Sequence, residues 1–235
     1  MTSMERLDLT ADDRVLAVVA HPDDMEYGAS AAVAKWAADG VEVSYLLLTH
    51  GEHGIAGSAP AETARVRTRE QREACACVGA VNLTILDFPD GMLTYGLELR
   101  EAVAREIRKV KPTVVLTQNF DTVVPWGLNQ ADHRVAGLVA LDAVRDAGNE
   151  FLFPDAGEKH QASLLLITGH PSPTCAVEIA HEHVRAGIDS LSSHEVYLAA
   201  LPDHAKPEDI IGDAARAGGE ALGTEYAIAF RSFPL

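Results

Sequence analysis

The chain has 235 residues, 47% hydrophobic and 23% charged, which is globular usage and excludes a disordered polypeptide. Nineteen Lys and Arg against 35 Asp and Glu give a formal charge of −16, a surface that repels phosphate backbones and argues against a nucleic-acid partner. No apolar run approaches the roughly 18 residues of a membrane span, so no membrane partner is expected either.

Arg14–Ala20 (RVLAVVA) is a short apolar, β-branched run and reads as a buried strand. Met25–Asp39 is Ala-rich and stops at Gly40, which predicts a helix. Val41–Thr49 is strand-like, Ala61–Val78 helical up to Gly79, and Asn82–Leu86 a short strand. Leu97–Lys109 reads as a helix stopped before Pro112, Thr113–Thr117 as a strand, and Asp132–Ala147 as a helix ending at Gly148. Ser163–Thr168 and Cys175–Ile179 would add two strands, with helices near Glu182–Ser192 and Glu208–Ala221. This alternation predicts one α/β domain over residues 1–235. Its architecture is Rossmann-like, a mostly parallel sheet with helices on both faces. The opening MTSMERLDLTADDR has no apolar signal core. Cys75, Cys77 and Cys175 are odd in number and lack C-x-x-C spacing, so a cytoplasmic setting is expected.

Ligands of doubly wound sheets bind beyond the carboxyl ends of the strands, where the strand order reverses. The residues after the first four predicted long strands are His21-Pro22-Asp23-Asp24, His50-Gly51-Glu52-His53, Asp87-Phe88-Pro89-Asp90 and a loop ending in Gln130-Ala131-Asp132-His133. His and Asp gather at all four places. No G-x-G-x-x-G follows the first strand, and no P-loop or G-x-S-x-G elbow occurs, which excludes the usual nucleotide and serine-hydrolase readings. His21 and Asp24 could supply two ligands of a catalytic zinc, and His133, beyond a neighbouring strand, the third. Alone, His-Pro-Asp-Asp is equally a turn with an Asp cap.

At these residues the sequence resembles the PIG-L family, also called LmbE-like, of metal-dependent deacetylases of N-acetylglucosaminyl compounds. The resemblance is carried by Ala20-His21-Pro22-Asp23-Asp24, Thr49-His50-Gly51-Glu52 with Gly54, Arg67-Thr68-Arg69-Glu70, Asp90-Gly91 and Asp132-His133. Ala186–His194 is similar to a family helix ending in His, and Tyr226-Ala227 with Ala229-Phe230-Arg231 to the family's C-terminal segment. The resemblance implies Zn2+ ligands at His21, Asp24 and His133, Asp23 as general base, and sugar contacts at Arg67 and Asp90. The family pattern has a His three residues before its last ligand; this chain has Gln130.

The expected reaction is hydrolysis of an N-acyl amide on a sugar-containing small molecule, by metal-activated water with Asp23 as base. Gln130 can donate a hydrogen bond to an oxyanion but cannot give up a proton. Asp23 is therefore expected to serve as base and then as acid, with His194 as a substitute if it folds back to the site. Trp126 is a candidate for stacking on a sugar face. Three alternatives stay open: an amidase of thiol-sugar conjugates, a non-catalytic metal-holding binding module suggested by Gln130, and an Fe2+ oxygenase, since two His and a carboxylate suit iron as well. A homo-oligomer is neither required nor excluded.

Overall fold

The computed structural model describes residues 4–125 and 127–235. A two-residue strand, β1 (Glu5–Arg6), comes first, and β2 (Arg14–Val19) is the first long one. Then follow α1 (Asp24–Gly28), α2 (Ser30–Ala38), β3 (Glu42–Leu47), α3 (Pro60–Val78), β4 (Asn82–Ile85), α4 (Leu97–Val110) and β5 (Val114–Gln118). A small hairpin of β6 (Val123–Val124) and β7 (Gly127–Leu128) precedes α5 (Ala131–Ala147). Beyond a 3-10 turn at Pro154–Ala156 come β8 (Leu164–Thr168), β9 (Cys175–Glu178), α6 (His181–Ser192), α7 (Glu195–Ala199), α8 (Pro207–Leu222) and β10 (Ala227–Pro234).

The eight-stranded sheet runs β1-β9-β10-β8-β5-β2-β3-β4, and β10 alone is antiparallel to its neighbours. Successive strand residues face opposite sides, so each strand feeds two cores. Ala17, Val19, Val43 and Tyr45 pack with Trp36, Val78, Val184 and Ala215 from α2, α3, α6 and α8. Leu16, Val18, Leu46 and Val115 pack with Val103 and Ile107 of α4 and Val139 and Ala140 of α5. This is the expected α/β architecture with helices on both faces.

Besides the short β1, the β6–β7 hairpin and α7, which sequence pattern did not resolve, two departures from expectation stand out. The single helix predicted over Met25–Asp39 is broken at Ala29 (φ −144°, ψ −2°) into α1 and α2. Thr168 Oγ1 takes the Gly28 carbonyl at 2.7 Å, and a side chain at Gly28 would collide with Thr168. That carbonyl therefore bonds to the sheet. The second departure is β10, which sequence pattern did not resolve as a strand. Its residues range from buried to exposed without alternation, and it holds Arg231, Ser232 and Pro234. Pairing on both sides by β8 and β9 makes it a strand all the same.

β2 pairs in parallel with β3 on one side and β5 on the other. The chain runs outward from β2 through β3 to β4, then crosses back to β5. The order thus reverses between the carboxyl ends of β2 and β5, where such folds hold ligands.

Candidate active site

His21, Pro22 and Asp23 form the turn between β2 and α1. The turn closes on Asp24, whose Oδ2 accepts the N–H groups of Ala20 (3.0 Å) and His21 (2.9 Å). Asp24 Oδ1 is left facing His133 Nε2 at 3.1 Å. His133 lies in the first turn of α5, and its Nδ1 is 3.1 Å from Asn129 Oδ1. The Asn129 amide donates to the carbonyls of Asn119 (2.8 Å) and Asp121 (3.0 Å), which fixes its oxygen toward the imidazole. His133 Nδ1 thus faces the fixed amide oxygen, and Nε2 is turned to the Asp24 side. His21 is held in the same way from its other nitrogen: Nε2 lies 3.0 Å from Asp90 Oδ1 and 3.4 Å from Asp132 Oδ2. Its Nδ1 is 3.7 Å from Asp24 Oδ2.

One ligand atom from each of His21, Asp24 and His133 falls within 4.8 Å of the others, so the expected trio is brought together. Two imidazoles and a carboxylate, each imidazole anchored through its other nitrogen, are a donor set for zinc or iron(II). The electrostatics agree. Burial works to raise the Asp24 carboxyl, yet the His133 and His21 imidazoles hold it well below its usual range. Burial works to lower His21, but Asp132, Asp24 and Asp90 lift it well above its ordinary value. Asp24 is thus held charged, and without a metal the two imidazoles hold the protons that a cation would replace.

Asp132 does not cap α5. Its oxygens accept the N–H groups of Gly91 (2.7 Å) and Leu93 (3.1 Å), tying the loop after β4 to His21. Asp90 accepts the His53 N–H at 2.8 Å, and its own N–H reaches Glu52 at 2.9 Å. His50 is taken up by Thr68 and Asp87.

Asp23 is a non-glycine residue in the left-handed region (φ 84°), buried beside the trio. Its N–H donates to Gln71 Oε1 at 2.9 Å. Burial pushes its carboxyl up to about 6, against the pull of the Arg67 guanidinium 3.2 Å away. Arg67 is buried on α3 and donates to the carbonyls of Pro22 (2.6 Å) and Gly51 (3.1 Å). Gly51 sits at φ +62°, and a side chain there would collide with this guanidinium. Arg67 and Asp90, expected on the sugar, pair in this structure with Asp23 and with His21 and His53.

Gln130 sits exposed just before α5 with no side-chain capping bond. His194, the expected substitute acid, offers no exposed nitrogen. It is fully buried, its Nε2 3.7 Å from Glu26 Oε2, with neither ring nitrogen hydrogen-bonded. Trp126 lies outside the described residues. Sequence reading assigned no role to Asn129 or Gln71. The only trace of Gln71 is its place four residues after Arg67, on the same face of a helix.

The profile of the PIG-L family, described as GlcNAc-PI de-N-acetylase, matches residues 16–144, more than half of the chain. The chain belongs to the PIG-L family. A diacetylchitobiose deacetylase of Thermococcus kodakarensis is 34% identical over 137 residues, 57% of this chain and 50% of that one. The chain thus spans half the length of that relative. A 1D-myo-inositol 2-acetamido-2-deoxy-alpha-D-glucopyranoside deacetylase of Geodermatophilus obscurus is 26% identical over 93% of this chain and 92% of its own. Among solved structures, N,N'-diacetylchitobiose deacetylase from Pyrococcus horikoshii superposes with a TM-score of 0.83 at 25% identity, covering 94% of this chain and 84% of that one. These PIG-L relatives are sugar N-deacetylases by name. No helix among the described residues is long and apolar enough to cross a membrane.

Proposed function

We propose that this PIG-L chain is a metal-dependent hydrolase that removes an acetyl or other acyl group from the amide nitrogen of a sugar-containing small molecule. The observation that carries the reading is the convergence of His21, Asp24 and His133 beside the buried Asp23 carboxyl. The metal is Zn2+, with Fe2+ as the alternative the same donors accept. A zinc held there would supply Lewis acidity and draw the pKa of water toward about 7.

Asp23 takes the proton of the attacking water at its carboxylate. The water oxygen adds to the acyl carbon, the C–N bond breaks, and Asp23 returns the proton to the departing amine nitrogen. Gln130 donates an amide N–H to the developing oxyanion. Arg67 and Asp90 serve the reaction through the groups they brace, Asp23 and His21. His194 stays out of contact with the substrate.

The test is metal analysis and amine release from N-acetylglucosamine and N,N'-diacetylchitobiose, wild type beside Asp23→Ala. Bound metal, with release lost in the variant, is expected. Bound metal with no release from any acetylated amino sugar would overturn the reading. It would favour the binding module that the exposed Gln130 suggests.

A further inference from the structure

We propose that Tyr197 is a positioning residue for Asp23: its ring clamps the Arg67 guanidinium that pairs with the Asp23 carboxylate. This rests on the hydrolase reading above.

Asp23 needs such a clamp. A non-glycine residue is strained in the left-handed region, and strain of this kind persists only where the surroundings over-determine it. Gln71 holds the Asp23 N–H. On the side chain the hold is incomplete. Oδ2 is buried and lies 3.2 Å from Arg67 Nη2, yet it has no hydrogen-bond partner of good geometry. Charge attraction keeps the carboxylate near the guanidinium without aiming it. Its direction then depends on what fixes the plane of Arg67 and what else meets the carboxyl.

Tyr197 fixes that plane. Arg67 Cζ lies 4.0 Å from the centre of the Tyr197 ring, so the aromatic face covers one side of the guanidinium. Arg67 donates from Nη2 to Pro22 and from Nη1 to Gly51, and the three contacts leave it one orientation.

The support for Tyr197 is built in. α7 has only five residues and hangs from α3, where Val196 N–H donates to Glu70 Oε1 at 2.7 Å. Leu198 N–H donates to the His194 carbonyl at 2.8 Å. Glu70 is three residues from Arg67 on the same helix, so α3 anchors α7 and carries the cation that α7 covers. Where Gln130 cannot pass a proton, both proton transfers fall to Asp23, and its aim matters twice.

Tyr197→Phe keeps the ring; Tyr197→Leu removes it. In the zinc-loaded enzyme Tyr197→Phe should keep wild-type kcat, and Tyr197→Leu should lower kcat about tenfold with the lost cation–π contact. KM, bound metal and Tm should stay at wild-type values in both. A raised KM at unchanged kcat in Tyr197→Leu would make Tyr197 a substrate contact and overturn the proposal, and unchanged kinetics in that variant would refute it. Should the wild type release no acetate, the hydrolase reading falls, and crystal structures of wild type and Tyr197→Leu decide this one. An Asp23 carboxyl turned away from Arg67 in the variant supports the clamp; an unmoved one refutes it.

Discussion

Arg67 and Arg108 are both buried guanidiniums on helices that flank the same sheet, and they are used in opposite ways. Arg108, in the last turn of α4, donates to six backbone carbonyls: Asp146, Ala147, Asn149, Leu152, Phe153 and Gly157. Its charge is spread over the dipoles of one loop, and every nitrogen is engaged. Arg67, beside the carboxyl ends of the strands, donates to two carbonyls, leaves Nε without a partner, and holds a carboxylate at ion-pair distance. Its surroundings repeat the pattern. Asp23 Oδ2, Glu26 Oε2, Glu70 Oε2 and both His194 nitrogens are buried without a hydrogen bond, whereas no such atom belongs to described residues 146–157. An unsatisfied buried polar group costs about 1–3 kcal/mol. One end of the sheet is therefore satisfied for stability, and the other keeps polar capacity in reserve for chemistry.

The sharpest test of that division is His133→Ala, which removes one of three donors. Bound metal and acetate release should both fall to background while the fold stays intact by circular dichroism. Metal retained at wild-type stoichiometry would place the centre elsewhere. Next in size, Asp23→Asn keeps shape and metal but removes the base, and kcat should fall by about 10²–10⁴. Arg108→Met should act the other way round. It orphans six carbonyls and should cost about 3 kcal/mol in a denaturant titration. kcat per folded molecule should stay unchanged, and a parallel loss of kcat would show that the two ends are not separable. The smallest effect belongs to Gln130→His. If Asp23 already moves both protons, the gain in kcat should stay well below the roughly 10²-fold that a missing acid is worth.

The long strands, the two-faced sheet and the trio His21, Asp24 and His133 were legible because each is written locally. A β-branched run predicts a strand, and His or Asp right after a strand lands at the carboxyl end of the sheet. The partners of Arg67 were not legible. The residue stands out in sequence, but whether it meets a sugar or Asp23 depends on a contact between α3 and the turn after β2. Asn129, Gln71 and Tyr197 are ordinary polar residues until the fold sets them against His133, Asp23 and Arg67. Gly28, a poor helix former, permits the break at Ala29, but the contact with Thr168, almost 140 residues further on, is not written locally.

The place of β10 sets the order in which the molecule can be assembled. His21, Asp24 and His133 lie on elements complete by the end of α5, and β2, β3, β4 and β5 can pair as soon as they leave the ribosome. β9 and β1 reach the rest of the sheet only through β10, the strand made after all of them. Until β10 arrives, β8 presents an unpaired edge, the kind of surface on which nascent chains associate. The residues proposed to do the chemistry are thus in place before the sheet is closed.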